Sequence, residues 1–293
     1  MDKPFYPIVQ VVTKDKLKLF GLLHKSSNNS NRVIVHIHGT SGNFYCNNFY
    51  PYIAEAAYKN NFAYLQTNNR GYGDFEYEPG EVPHGAALEL FEDSVMDIDA
   101  WLEFCINHGF KEIILESHSY GNEKVIYYLN KGKYKKNVIG VILLGFNDSV
   151  GTQARYEKKI GKSYLKEAQE LVNQGKGLSF LSDIFGGIAG EVPLSARSYL
   201  NYYSPGTELS KTMPLRLGKK LEMYSNIKVP VLAVIGDNEE GEYTIIPIKE
   251  AMALMKKENS RTEAHQIINC DHGFNGKEKE LVVIIQQFLK SIL

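Results

Sequence analysis

Cysteine is scarce and scattered in this chain. Cys46, Cys105 and Cys270 are an odd number without CxxC spacing, which argues against a disulfide framework or a zinc ribbon and fits a reducing compartment. Long hydrophobic runs are missing too. The opening MDKPFYPIVQ has no apolar export core, and nowhere do about eighteen uncharged apolar residues follow one another. The expectation is a cytoplasmic protein, neither exported nor embedded in a membrane. No sign of charge dominates: 33 Lys and Arg face 34 Asp and Glu, for a formal net charge of −1. Without a long single-sign block, the electrostatic footprint of a nucleic-acid or anionic-membrane binder is absent. The expected partner is a small molecule, and a homodimer is compatible with such a surface. Internal repeats and low-complexity tracts are absent as well.

Several short motifs lead nowhere. No GxGxxG follows the first parallel strand, so a nicotinamide dehydrogenase lacks support. Gly161-Lys162-Ser163 looks like the end of a phosphate-binding loop, but Tyr156 stands where its first glycine belongs and no strand leads in. Cys270, Asp271 and His272 are adjacent on one strand end, which rarely supplies a full ligand set, so no metal is expected. No cofactor is expected either. The two Asn-x-Ser patterns, at 28–30 and 147–149, have no consequence without secretion.

What is present is an alternation of strand and helix patterns. The chain has 293 residues, 43% of them hydrophobic, enough for one large domain or a domain with an insertion. Residues 8 to 24 read as a β-hairpin around Lys14-Asp15-Lys16. Then come apolar runs at 33–39, 62–68, 112–117, 138–146, 229–236 and 264–269, of the kind shown by strands buried on both faces. Helical patterns fit 51–60, 88–108, 119–130, 246–257 and 277–292; the clearest, 88–108, repeats apolar residues at three- and four-residue spacing from Leu88 to Cys105. This predicts a doubly wound α/β protein with a mostly parallel central sheet and helices on both faces. The rhythm breaks for roughly 80 residues between Phe146 and Val229, too long for a loop. An inserted helical cap is predicted there, residues 149–219, on a core of 1–148 and 220–293. Within it, 154–172 reads as helical, 175–193 as glycine-broken, and 194–203 as a short helix.

In doubly wound sheets, chemistry gathers just beyond the carboxyl ends of the strands. The stretch ESHSYGN stops a buried strand at Ser119. A serine at a tight strand-to-helix turn needs small residues two before and two after it, because the two backbones nearly touch. Of three Ser-x-Gly sites, Ser119, Ser149 and Ser204, only Ser119 has a small residue two before, Ser117. Its competing role is to cap the following helix. As a nucleophile it would need a base. Of eight histidines, His24, His36, His108, His118 and His265 lie in or beside predicted elements, and His38 and His84 in loops. His272 follows the last strand directly and is the candidate, its competing role being that of a solvated loop residue. A carboxylate to hold that base is available in GDNEEGE, where Asp237, Glu239, Glu240 and Glu242 compete. The nascent oxyanion needs two N–H donors. The backbone of Tyr120 offers one, and the glycine-rich HGTSG loop, with Gly39, Thr40 and Gly42, offers the other.

HIHGTSG, NNRGYGD, SHSYG, VPVLAVIGDNEE and CDHGF occur in the order and approximate spacing of α/β-hydrolase fold esterases. The resemblance spans nearly the whole chain and is strongest to small intracellular carboxylesterase-like serine hydrolases. It implies Ser119 as nucleophile, His272 as general base and then acid, and Thr40 and Tyr120 as oxyanion-hole residues. The family's acid position, three residues after the strand-end glycine, falls on Glu239, where aspartate is usual; Asp237 and Glu240 remain rivals. Ser117 stands where the family elbow usually has glycine, and Asn68 where its arginine loop has aspartate. Arg70 in that loop is expected to hold the loop in place. The reaction implied is cleavage of a carboxylic ester, or a thioester or amide, of a small acyl or aryl substrate. The alternative is a non-catalytic ligand-binding protein on the same fold, favoured by Ser117 and the unusual acid loop. Perhydrolysis, dehalogenation or carbon–carbon cleavage is a further variant, and Ser119 in place of an acid argues against dehalogenation. The cap's rings, Tyr156, Tyr164, Phe180, Phe185, Tyr199, Tyr202 and Tyr203, are expected mainly to pack its own core, and Gly186 and Gly187 to make a turn or a hinge.

Overall fold

Strand β5 (Glu112–His118) shows how the sheet is made. Its side chains alternate between two cores: Ile113 and Leu115 enter one, Ile114 the other, all fully buried. A strand apolar on both faces cannot lie at a surface, so it draws helices onto both sides of the sheet. The computed structural model describes residues 7–77, 79–183 and 188–292. Among these, eight strands form one sheet in the order β1-β2-β4-β3-β5-β6-β7-β8.

The hairpin of β1 (Ile8–Val12) and β2 (Lys18–His24) is antiparallel, and β2 runs antiparallel to β4 (Ala63–Thr67). Every other pairing is parallel, joining β3 (Arg32–Ile37), β4, β5, β6 (Val138–Leu144), β7 (Val231–Gly236) and β8 (Thr262–Ile267). Helices α1 (Tyr50–Lys59) and α10 (Glu278–Ser291) close one face, with Ile53, Leu281, Ile285 and Phe288 in the core beneath. The other face is closed by α2 (Ser94–Asn107), α3 (Tyr120–Lys131) and α9 (Ile248–Glu258). The helices α4 (Ser149–Ile160), α5 (Leu165–Asn173), α6 (Ala196–Tyr203), α7 (Leu209–Thr212) and α8 (Glu222–Ser225) follow β6 and precede β7. The predicted strands, the mostly parallel sheet and the helical insertion are all observed.

Two helical readings change. The pattern from Leu88 does not start a helix: Phe91–Asp93 form a 3₁₀ turn and α2 begins at Ser94. Glu89 is instead drawn inward to Lys124, and the Phe91 N–H is taken by Asn201 of α6. The single helix expected over 154–172 is two, because Gly161 adopts a left-handed conformation (φ 68°) that ends α4. Tyr164 and Tyr199 pack the insertion's core as expected, whereas Tyr202 and Tyr203 also border the cavity described below. Phe185, Gly186 and Gly187 lie outside the described residues. Arg70 ties its loop down: it pairs with Asp97 of α2 at 2.8 Å and with Asp15 of the hairpin turn at 3.0 Å.

Candidate active site

Ser119 sits where β5 meets α3 with φ 55° and ψ −130°, a backbone conformation that non-glycine residues avoid. Such a residue costs about 1–3 kcal/mol and persists only where its surroundings enforce it. Here they do. The Ser119 N–H donates to the Leu144 carbonyl at 2.9 Å, and its own carbonyl accepts from the Asn122 N–H at 2.8 Å. A Cβ on Gly121 would lie 2.3 Å from the Ile37 carbonyl oxygen, and one on Gly39 would lie 2.9 Å from the Ser119 Cβ. Strand β3, the turn and the helix are therefore in direct backbone contact, the requirement that singled out this serine. The capping role is not observed, since the Ser119 hydroxyl makes no cap hydrogen bond to α3.

The serine in place of the usual glycine is accommodated. Ser117 is fully buried, and its hydroxyl donates to Asn122 Oδ1 at 2.8 Å while Asn122 Nδ2 donates to the Leu144 carbonyl. The extra polar group is thus satisfied, and it links strand, helix and the neighbouring strand end.

The Tyr120 N–H lies at the first turn of α3, where helix geometry leaves donors without intrahelical partners. Thr40 follows β3. The Gly39 carbonyl accepts from the Nδ1–H of His38 at 2.7 Å, and Nε2 of that ring accepts from the Asn69 N–H at 3.0 Å. Burial, reinforced by Lys124, holds His38 well below its ordinary range, so the ring is neutral as this pattern requires. Because a trans peptide points its C=O and N–H in opposite directions, anchoring the Gly39 carbonyl on His38 aims the Thr40 N–H away from that ring. Among the described residues, neither the Thr40 nor the Tyr120 N–H has an acceptor.

His272 follows β8. Its ring lies between Tyr243, stacked at 3.8 Å, and His118, at 4.9 Å between centroids. The His118 Nε2–H donates to the His272 carbonyl at 2.8 Å, tying the residue before the serine to the histidine loop. Burial first, then the neighbouring His118, hold His272 well below its ordinary range. Among the described residues neither of its buried ring nitrogens has a partner.

Among the described residues no carboxylate therefore hydrogen-bonds the imidazole, Glu239 included. The four acids of the loop differ in what occupies them. Asp237 accepts from the Cys270 N–H at 3.3 Å, Glu240 accepts from the Ile248 N–H at the start of α9, and Glu242 faces Arg155 at 3.7 Å. The Glu239 carboxylate is raised by burial and by Asp271, and is stabilised by the backbone N–H groups of Glu239 itself and of His272. Of the four, Glu239 is the one whose charge is felt at the backbone of His272.

Ser119, Thr40, Tyr120 and His272 border one cavity of about 250 Å³, together with Gly39, His118 and Tyr243. Glu239 does not border it. Sequence reasoning missed Asn147, Ser149, Glu191 and Tyr243 on this wall, and set His118 aside as a packing residue. Asn147 lies three residues past the end of β6, so the strand-end rule would have reached it; Glu191 carries no local signal. Among the described residues, no group of three or more His, Cys, Asp or Glu is placed to hold a metal ion. No helix among them is long and apolar enough to cross a membrane.

Residues 87–290 match the family described as "Protein of unknown function (DUF1749)", and the chain belongs to that family. Its fold is the α/β-hydrolase fold with an inserted helical cap. Est1E from Butyrivibrio proteoclasticus, solved with ferulic acid bound, is 14% identical, with 97% of this chain and 98% of that one covered and a TM-score of 0.65. The esterase Pf2001 from Pyrococcus furiosus is 15% identical, with coverage of 98% and 90% and a TM-score of 0.59. An α/β-hydrolase fold protein of unknown function is 17% identical, with coverage of 99% and 97% and a TM-score of 0.69. At such identities the likeness is one of fold. No curated protein sequence matches the chain.

Proposed function

We propose that this protein is a serine hydrolase that cleaves a carboxylic ester of a small acyl or aryl substrate, with thioester or amide cleavage as variants of the same chemistry. The observation that carries the reading is Ser119: a strained, non-capping serine whose side chain opens into a cavity shared with His272. Strain of this kind at a strand-to-helix turn has a use when it presents a hydroxyl to a substrate.

In the proposed reaction, Ser119 Oγ attacks the acyl carbon while His272 takes its proton. The carbonyl oxygen becomes an oxyanion held by the Thr40 and Tyr120 N–H groups; one such donor typically lowers the barrier by about 3 kcal/mol. Collapse expels the alcohol, protonated by His272, and leaves an acyl group on Ser119. Water, deprotonated by His272, then attacks that carbonyl and frees the acid. The neutral state of the buried imidazole supports its role as base. Glu239 is proposed as the acid that steadies the imidazolium, by rotation of its side chain or of the His272 ring once substrate is held, since catalytic hydrogen bonds often tighten only at that stage. Residues 149–219 are proposed as the cap over this site, on a core of 1–148 and 220–293.

The partnerless His272 ring favours a second reading, a non-catalytic ligand-binding protein on the same fold. A fluorophosphonate probe separates the two. The hydrolase reading expects labelling of wild type that is lost in Ser119→Ala. Unlabelled, correctly folded wild-type protein would sink it.

A further inference from the structure

The cavity wall beyond the elbow is built from Asn147, Ser149 and Thr152, which follow β6, and from Tyr202 and Tyr203 of α6. Asn147 is 5% exposed and its amide is oriented from behind. One Nδ2 hydrogen goes to Glu123 Oε2 at 3.2 Å and the other to Ser149 Oγ at 2.7 Å. Ser149 Oγ and Glu123 share a further hydrogen bond, and Glu123 accepts the Ser149 N–H at 3.1 Å. With both donors used, Asn147 Oδ1 remains a buried acceptor without a donor among the described residues. A native structure seldom leaves such a group empty, and its position on the cavity wall points to a ligand as the missing donor.

The charges agree with a donor that is a cation. Among the described residues no lysine or arginine borders the cavity, and the two histidines that do, His118 and His272, are held neutral by burial. Among the described residues the one carboxylate on its border is Glu191, exposed at the mouth; it has no ion-pair partner among them, and its charged neighbour is another acid, Glu242. Arg155 and Lys159 of α4 line a separate groove, and Arg155 is bound to the carbonyls of Gly241 and Glu242. The rings of Tyr202, Tyr203 and Tyr243 provide π faces around the same space.

We propose that the cavity selects substrates bearing a protonated amine, whose N–H groups donate to Asn147 Oδ1 and whose charge is matched by Glu191 and the tyrosine faces. This deepens the serine hydrolase reading and rests on it for turnover, but not for binding. Asn147 and Glu191 are then specificity residues.

The test uses two series of esters differing in one group: aminopropyl, hydroxypropyl and butyl acetate on the alcohol side, and nitrophenyl aminohexanoate, hydroxyhexanoate and heptanoate on the acyl side. In one series at least, kcat/KM for the ammonium ester should exceed both isosteres by about tenfold, a preference of the size that paired cation–π and charge contacts provide. The ratio should fall toward one in Asn147→Leu and, with no buried group disturbed, in Glu191→Gln. Equal or faster turnover of the neutral isosteres in both series would overturn the proposal, as would a preference unchanged in Glu191→Gln. Calorimetric binding of the same esters to Ser119→Ala separates this claim from the hydrolase reading. Ammonium-selective binding without wild-type turnover keeps the amine site and removes the hydrolase; unselective binding removes the amine site whatever the turnover.

Discussion

The imidazole of His272 lies flat on the phenol ring of Tyr243, with centroids 3.8 Å apart and planes 15° from parallel. With no carboxylate of the described residues on the ring, this stack and the contact with His118 hold it. Offset aromatic pairs contribute roughly 0.5–1.5 kcal/mol beyond their burial, so the orientation they impose is worth up to about tenfold in rate. Tyr243→Leu should lower kcat for an ester substrate by about that factor with a smaller change in KM, and Tyr243→Phe should restore it. Steady-state kinetics on the two variants decides; an unimpaired leucine variant would mean the stack does not position the base.

The pH dependence follows from the same burial. His272 is held well below its ordinary value of 6.5, and His118 is pushed down to about 4, burial being the first cause in both. A general base must be neutral, and a lowered pKa keeps the imidazole neutral as pH falls. The acid limb of kcat/KM should therefore lie below pH 6.5. A limb at pH 7 or above would show that a carboxylate reaches the ring in the free enzyme and raises it.

For the acid, the loop partners make distinct predictions. Glu239→Gln should lower kcat/KM by roughly a hundredfold to ten-thousandfold, the range seen when a triad loses its carboxylate, without a change in melting temperature. Glu240 accepts from the Ile248 N–H at the start of α9. Glu240→Ala should remove about 1 kcal/mol of stability, as cap losses do, with little effect on turnover. Thermal melts and ester assays on both proteins test the assignment; normal turnover by Glu239→Gln would end it.

Glu123 offers a stability test independent of catalysis. Burial raises its carboxyl to about 8 from an ordinary 4.5. Folded protein thus holds a proton that unfolded protein releases between those values. Its contribution is fully present below pH 4.5 and is lost as pH rises toward and through 8, at about 1.4 kcal/mol for each pH unit between the two. Glu123→Gln mimics the protonated form, so its stability relative to wild type should grow as pH rises from about 5 to 9. Parallel melting curves across that range would refute the shift.

The sheet was legible because strands buried on both faces leave unbroken apolar runs such as Ile113, Ile114 and Leu115, and the serine because strand, helix and loop backbones touch there and only small residues fit. Pattern failed where charge goes inward. Nothing in the local sequence marks Glu89 and Lys124 as buried, yet they form a fully buried pair at 2.7 Å, and α2 begins only at Ser94. Glu123 is hidden in the same way beside it. Periodicity cannot distinguish a charge facing water from one facing a partner that lies far away in sequence. The acid is the other shortfall: four carboxylates within six residues are equivalent to a pattern, and what separates them is the partner each one holds.

Strand β8 stands at the end of the sheet, paired on one side only, and most of its residues are partly exposed. The turn at Ser119 and the Thr40 and Tyr120 N–H groups, proposed above as oxyanion donors, rest on β3, β5, β6 and α3, whereas His272 follows β8, which pairs with β7. On the proposed mechanism, activity is then a reporter of that last zipper. A chain stalled before it, or clipped in the turn after α9, would keep a strained serine in a folded body and be catalytically silent.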